Sequence, residues 1–302
     1  MEESATQPQT QPILSELLGP YAPAIEQDLQ RWLVEEGTPA TLAQAMRYCC
    51  LGGGKRLRPA LVHMTARALG GSPGAELTAR SAVAVEMIHC YSLVHDDLPS
   101  MDNDTLRRGQ PTAHIQFGQA MAILAGDALL TRALGVLGEA EDPRAAALVA
   151  ELAQAAGAAG MIAGQVADMK LCELPDGQAG MTYVHLRKTG ALLKAAARMG
   201  AICADATAEQ ADGVGRFAGW LGVAFQVVDD LLDATSSASQ LGKTPGKDHQ
   251  AGKLSATACV GLDAAAEMAR ELTGKALSAL DVLGPRAGEL RQLARCLLGR
   301  TN

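Results

Sequence analysis

Aromatic residues make up only 3% of this chain: two tryptophans, four tyrosines and three phenylalanines. Ala and Leu are abundant and extended β-branched runs are scarce, which argues against a sheet-built core and for a helical protein. A surplus of positive charge is also missing, since 26 Lys and Arg stand against 33 Asp and Glu, a net charge of −7. That balance disfavours a nucleic-acid partner. No uninterrupted apolar run of about 18 residues occurs, so no membrane span is expected. The seven cysteines (Cys49, Cys50, Cys90, Cys172, Cys203, Cys259, Cys296) are odd in number and lack C-x-x-C spacing. They read as small core residues of a protein in a reducing compartment. Residues 1–12 are polar, rich in Gln and Pro and without an apolar signal region, and read as a disordered lead-in to a cytoplasmic protein.

What is present is 302 residues, 48% hydrophobic and 20% charged, enough for a substantial core. Apolar periodicity and stop signals predict helices over roughly 13–36, 39–51, 57–69, 75–97, 113–138, 143–169, 183–203, 208–233, 263–283 and 285–298. Pro39, Pro143 and Pro285 fall where a first helical turn tolerates proline. Turn formers cluster at 70–74, 175–177 and 236–252, and no low-complexity linker divides the chain. The expectation is a single all-α domain over 13–302.

Ordinary packing does not explain Asp96-Asp97-Leu98-Pro99-Ser100-Met101-Asp102 at the end of an apolar helix. Pro99 lacks an N–H and its ring clashes with the carbonyl four residues back, so the helix should stop near Leu98 with both aspartates in its last turn. That is the negative end of the helix dipole. Two like charges about 4 Å apart repel by about 4 kcal/mol at an effective dielectric of about 20. The cluster therefore calls for cations, and a hard divalent ion such as magnesium suits it. The arrangement occurs twice. Phe225-Gln226-Val227-Val228-Asp229-Asp230-Leu231-Leu232-Asp233 carries a second apolar helix into paired aspartates, with Asp229 and Asp233 on one face. Two such ends facing each other could hold several ions, and the oxygens of a diphosphate would complete the coordination.

Gly52-Gly53-Gly54-Lys55-Arg56-Leu57-Arg58-Pro59 places three cations after a flexible glycine run. It is not a P-loop, because Lys55 is followed by arginine. Alone it reads as a helix cap with a solvated basic turn. Beside two acidic helix ends it reads as a phosphate site. Arg107 and Arg108 either neutralise Asp102 and Asp104 in surface pairs, usually worth about 0–1 kcal/mol, or grip a diphosphate through paired guanidinium donors. Lys188-Thr189, Lys243, Lys247 and Lys253 add further donors, although each lysine alone reads as a solvated charge. Glu86-x-x-His89 matches half of a di-iron signature, but no other histidine has Glu three residues before it, so that metal site is rejected. His89 is either a ligand contact or a satisfied core histidine.

In this order and spacing these residues resemble the trans-prenyltransferases, the bacterial farnesyl diphosphate synthases in particular. The likeness runs from the basic stretch at 52–59 through Lys253. It includes the aspartate motifs at 96–102 and 229–233, Arg107-Arg108-Gly109, Gly164-Gln165-x-x-Asp168, Lys188-Thr189-Gly190 and Phe225-Gln226. The resemblance implies an all-helical homodimer of the isoprenoid synthase type, with a central cavity and three magnesium ions, manganese being a possible substitute. It implies Asp96, Asp102 and Asp229 as principal metal ligands, with Asp233 also counted among the ligands and Asp97, Asp168 and Asp230 close by. Arg107, Lys188, Thr189, Gln226 and Lys243 would hold the allylic diphosphate, with Lys253 nearby. Lys55, Arg58, His89 and Arg108 would hold isopentenyl diphosphate. Asp96, Asp97, Asp102, Arg107, Lys188, Asp229 and Lys243 would carry the catalytic step.

The implied reaction is a head-to-tail condensation of isopentenyl diphosphate with dimethylallyl and then geranyl diphosphate. Metals and cations stabilise the departing diphosphate, a dry cavity protects the carbocation, and the diphosphate takes the final proton. Tyr91 lies five residues before Asp96, about 7.5 Å along the helix at about 1.5 Å per residue, where its ring would block a growing chain. With Ser92 and the two-residue insertion in the first motif, the resemblance links it to a fifteen-carbon product. The plain alternative is that Tyr91 is ordinary core. After Lys253 the family pattern is lost, because Leu254-Ser255-Ala256-Thr257 lacks the usual tyrosine and proline. Other readings are a geranylgeranyl or geranyl diphosphate synthase, a class I terpene cyclase, and a non-catalytic prenyl-diphosphate-binding subunit. The all-aspartate second motif and a second cationic site disfavour the cyclase, and the retention of every motif aspartate disfavours the subunit.

Overall fold

The computed structural model describes residues 13–72, 75–235 and 254–299. In order, its elements are α1 (Leu14–Leu18), α2 (Ala22–Trp32), α3 (Ala40–Leu51), α4 (Leu57–Ala68) and α5 (Glu76–Asp96). An antiparallel ribbon of β1 (Leu106–Arg107) and β2 (Gln110–Pro111) precedes α6 (Ala113–Phe117), α7 (Gln119–Gly138), α8 (Ala145–Ala156), α9 (Met161–Asp168) and α10 (Gly177–His185). A π turn, Leu186–Gly190, leads into α11 (Ala191–Cys203), then α12 (Ala208–Thr235), α13 (Ala256–Val260), α14 (Leu262–Ala279), a 3-10 segment (Asp281–Ala287) and α15 (Gly288–Leu298). The lead-in at 1–12 and residues 236–253, with Lys243, Lys247 and Lys253, lie outside the described residues.

The all-α class follows from α5, which is apolar nearly all round and buried accordingly. Val83, Val85, Met87 and Ile88 are fully enclosed, each burial contributing about 1.5–3 kcal/mol. α4, α7 and α11 pack directly against α5, so the helix that delivers the first aspartate motif is the centre of the main core. α12 packs on α11 and α14, and its lower half, with Val227, Val228 and Leu231, belongs to a second apolar cluster with Met181 and Ala256. Both motif-bearing helices are thus held by core packing up to their last turns.

Several expected helices divide. The 13–36 pattern breaks around Pro20, which has no N–H to donate. The 113–138 pattern breaks at Gly118 and the 143–169 pattern between Gly157 and Gly160. α10 starts at Gly177, inside what reads as a turn, and α13 is an addition just past the expected turn-rich stretch. Pro143 stands before α8 and Pro285 lies in the 3-10 segment rather than in a first α turn. Two stretches, Gln119–Gly138 and Ala145–Asp168, are long and apolar enough on average to cross a membrane. The first packs on α5 with Ala122, Ala125, Leu129, Ala133 and Val136 fully buried, as a core helix does.

Candidate active site

α5 ends at Asp96, with Asp97 as its C-cap, as Pro99 requires. The chain then folds back on itself: the Asp102 N–H donates to the Asp96 carbonyl at 2.8 Å, and Leu98 O accepts from Met101 N (2.9 Å) and Asn103 N (3.1 Å). Asp102 is thereby brought beside Asp96. Burial pushes the Asp96 carboxyl above its usual range, and the Asp102 charge adds to this, while Lys188 and a hydrogen bond from Gln165 pull the other way. Burial also raises Asp97, outweighing the guanidinium bound to it.

That guanidinium is Arg107. Its Nε sits 2.8 and 2.9 Å from the two Asp97 oxygens and its Nη2 2.6 Å from Oδ1, with Asp104 farther off at 3.8 Å. The surface pairing considered from the sequence survives only as this longer contact with Asp104, and the main partner of Arg107 is an enclosed carboxylate held bidentately. The β1–β2 ribbon, too short to leave a periodic signal, carries Arg107 back onto the helix end.

Behind the motif stands α9. Gln165 Nε2 donates to Asp96 Oδ1 at 2.8 Å, and three residues on, Asp168 Oδ2 accepts from Lys188 Nζ at 2.6 Å. Lys188 belongs to the π turn, which is held between two helices by glycine. A Cβ on Gly164 would meet the Lys188 nitrogen at 2.2 Å, and one on Gly222 of α12 would meet the Gly190 Cα at 2.6 Å. No side chain fits in either place without displacement.

The π turn connects in the other direction to α12. Thr189 Oγ1 donates to Gln226 Oε1 at 3.2 Å, and Gln226 Nε2 donates to Asp230 Oδ1 at 3.3 Å. Asp230 Oδ2 accepts the Ala256 N–H at 2.7 Å and lies 3.6 Å from His185 Nε2. Burial pushes Asp230 up to about 6 and His185 down to about 4. The two acidic helix ends are thus linked through α9 and the π turn by side-chain contacts joined by short stretches of backbone. Asp229 is half-buried and Asp233 exposed on the same helix face. Among the described residues no three His, Cys, Asp or Glu side chains converge closely enough to hold a metal between themselves.

The basic stretch divides in a way its letters do not reveal. Arg56, counted from sequence with the anion-site cations, is buried and engaged by Glu26 Oε1, Glu86 Oε1 and the Cys50 carbonyl, each at 2.7 Å. It is a core ion pair, which also accounts for Glu86 without any di-iron site. Lys55 is exposed. Arg58 Nε is enclosed with no hydrogen-bond partner among the described residues, and Arg108 donates to the Gly53 carbonyl. Burial lowers both Arg58 and His89, and Arg58, Arg108, Arg107 and Arg56 add to the effect at His89. His89 is accordingly a neutral imidazole beside a set of guanidiniums.

Tyr91 is buried in the main core, its hydroxyl without a hydrogen-bond partner among the described residues and its ring edge-on to His95 at 5.7 Å. Burial raises its phenol to about 12. Ser92 is buried and donates to the His89 carbonyl at 2.8 Å. The sequence motif contains Gln165 without giving it a role and gives none to His185, whose place three residues before Lys188 is the one signal the sequence offers.

Residues 39–282 match the polyprenyl synthetase family. The chain is 44% identical over 263 residues to the farnesyl diphosphate synthase of Geobacillus stearothermophilus, covering 84% of this chain and 86% of that protein. It is 47% identical over 251 residues to the chloroplastic geranylgeranyl pyrophosphate synthase 11 of Arabidopsis thaliana, covering 80% of this chain and 70% of that protein. The crystal structure of an FPP/GFPP synthase from Zymomonas mobilis superposes with a TM-score of 0.80 at 36% identity, over 94% of this chain and 98% of that one. With aspartate-tipped helices linked through α9 and a clamped π turn, and a family match that spans all of them, this chain belongs to the polyprenyl synthetase family and is a prenyltransferase, a prenyl diphosphate synthase.

Proposed function

We propose that this prenyl diphosphate synthase makes (2E,6E)-farnesyl diphosphate, joining isopentenyl diphosphate to dimethylallyl diphosphate and then to geranyl diphosphate. The observation that carries the reading is the chain of contacts from Asp96 through Gln165, and from Asp168 through Lys188 to Thr189, Gln226 and Asp230. It brings carboxylates from both helix ends next to the cationic and neutral donors that a metal-bound diphosphate needs. Lys188, Thr189, Gln226 and Arg107 hold the allylic diphosphate. Lys55, Arg58, Arg108 and neutral His89 hold isopentenyl diphosphate, for which the unpartnered Arg58 Nε is a ready donor. Lys243 and Lys253, outside the described residues, keep their allylic-side assignment on the resemblance alone.

Magnesium fits the donor set. Carboxylate oxygens are its preferred ligands, and Asp96 is a buried carboxylate short of compensating positive charge. Asp96, Asp102, Asp229 and Asp233 would hold it, with manganese as the alternative ion, and diphosphate oxygens would fill the remaining positions. When bound, the metal would supply positive charge to the leaving diphosphate. The chain itself orients both diphosphates, excludes water from the allylic carbon and leaves the final proton to the departing diphosphate, so no protein base is required.

The fifteen-carbon product is supported by the buried Tyr91 ring one and a half turns behind Asp96 and by the likeness to the Geobacillus enzyme. The equal likeness to plant geranylgeranyl pyrophosphate synthases makes a twenty-carbon product the second reading. Residues 13–302 form one catalytic domain in this proposal. A homodimer is supported by Ile115 on α6 and Ile123 and Leu124 on α7, large apolar side chains left exposed. Seven free thiols suit a cytoplasmic, reducing setting. Incubation with magnesium, isopentenyl diphosphate and dimethylallyl diphosphate, followed by chromatography of the dephosphorylated products, tests the reading. Farnesol is expected. Geranylgeraniol as the main product overturns the chain length, and absence of turnover overturns the substrate assignment.

A further inference from the structure

His185 lies beside Asp230 at the edge of the site but has no role in the function proposed above. It is the last residue of α10, directly before the π turn, and only 4% exposed. Its Nε2 faces Asp230 Oδ2 at 3.6 Å, while Nδ1 has no hydrogen-bond partner among the described residues. An apolar side chain would fill that space without leaving a buried nitrogen unsatisfied, so packing alone does not account for an imidazole there. From Asp230 the contacts continue to Gln226 at 3.3 Å and from Gln226 to Thr189 at 3.2 Å. Thr189 is four residues after His185, so the contacts close into a ring: the end of α10, Asp230 and Gln226 on α12, and the π turn.

A π turn is rare, occurs mostly as a single turn inside an α-helix and is frequent at functional sites. Gly164 and Gly222 limit sideways movement of this one by backbone contact. Lys188 projects from this turn, so the turn's rotation decides where its ammonium points, and the side-chain contacts of Thr189 tie that rotation to α12. We infer that His185 is a positioning residue that acts through Asp230 to hold the π turn in the register that brings Lys188 and Thr189 to the allylic diphosphate. The inference rests on the proposed allylic site. Asp230, engaged by Ala256 N–H at 2.7 Å and by Gln226, serves as the hub of this ring.

The test is steady-state kinetics with magnesium, saturating isopentenyl diphosphate and varied dimethylallyl diphosphate, on the parent enzyme and three variants. His185→Leu keeps the volume and removes the polar contact. His185→Gln puts an amide nitrogen near the position of Nε2. His185→Asn is polar but too short to reach Asp230. For Leu and Asn the KM for dimethylallyl diphosphate should rise about tenfold while kcat and the KM for isopentenyl diphosphate stay within about threefold. His185→Gln should return that KM to within about threefold of the parent. If Leu fails to fold, Asn against Gln carries the comparison. Equal KM values for Asn and Gln, or losses confined to kcat, overturn the inference while parent turnover stands. A parent without turnover overturns the proposed function and this inference with it.

Discussion

The backbone of Lys188 runs directly over Gly164, so closely that a methyl group on Gly164 would come within 2.2 Å of the Lys188 nitrogen. Gly164→Ala should therefore push the π turn away from α9, cost about 1–3 kcal/mol in overpacking and separate Lys188 from Asp168. The turnover expected is a small fraction of the parent's, with a lowered melting temperature. Parent-like kinetics with an unchanged melting point would show that the turn has room to move.

Neighbouring arginines in the basic stretch should behave differently. Arg56→Leu leaves Glu86 buried without its partner, a break that costs about 3–5 kcal/mol, and urea unfolding should register it. Arg58→Leu removes no ion pair found among the described residues and should raise the KM for isopentenyl diphosphate with little loss of stability. Similar unfolding midpoints for the two variants would contradict the division.

Arg107 and Asp97 form a pair in which the aspartate is nearly enclosed, with 4% of its side chain exposed. Arg107→Ala should destabilise the fold through that stranded carboxylate. Adding Asp97→Asn should recover part of the stability and none of the activity, because the donor for the allylic diphosphate is still missing. A double variant no more stable than the single one would mean that the pair contributes little to folding.

Burial holds His185 near 4, against 6.5 for an unhindered imidazole. As pH falls through 6.5 the unfolded chain gains a proton at this imidazole that the folded chain refuses until about 4. The imidazole's contribution is complete above 6.5 and declines by up to roughly 3 kcal/mol on the way down. Asp230, pushed up to about 6, takes up a proton in the folded chain over the same window and offsets part of the loss. In metal-free buffer, the urea midpoint of the parent should fall more steeply over this window than that of His185→Gln. Parallel profiles would mean that the imidazole is hydrated and titrates normally.

Tyr91→Ala opens space one and a half turns behind Asp96. Products should shift from fifteen toward twenty carbons, read by chromatography after dephosphorylation. An unchanged product profile would make Tyr91 plain core, as its place in the main apolar cluster also allows.

The helical class and both aspartate-tipped helices were legible because each depends on short-range chemistry: an apolar period, a proline stop, paired carboxylates. Arg56 was not, since nothing local distinguishes it from Lys55 and Arg58. Its partners Glu26 and Glu86, thirty residues to either side, draw it inside. The π turn was invisible for a related reason. Apolar residues surround both sides of Leu186–Gly190, so the change of phase there is not marked in the letters, and the close approach of Gly164 and Gly222 to the turn is a tertiary contact that no local pattern announces. His185 went unassigned because its partner, Asp230, read as one more acid in a metal-binding motif.

The extra residue in that turn has a mechanical consequence. A regular helix advances about 100° per residue, so the insertion rotates everything downstream by about that angle. α10 can then seat Met181 in one apolar cluster while α11 seats Leu192 and Leu193 in the other. Lys188 stands on the joint of this crankshaft. A small displacement of either bearing surface, even one produced by a methyl group far from any phosphate, would be delivered to its ammonium as a twist.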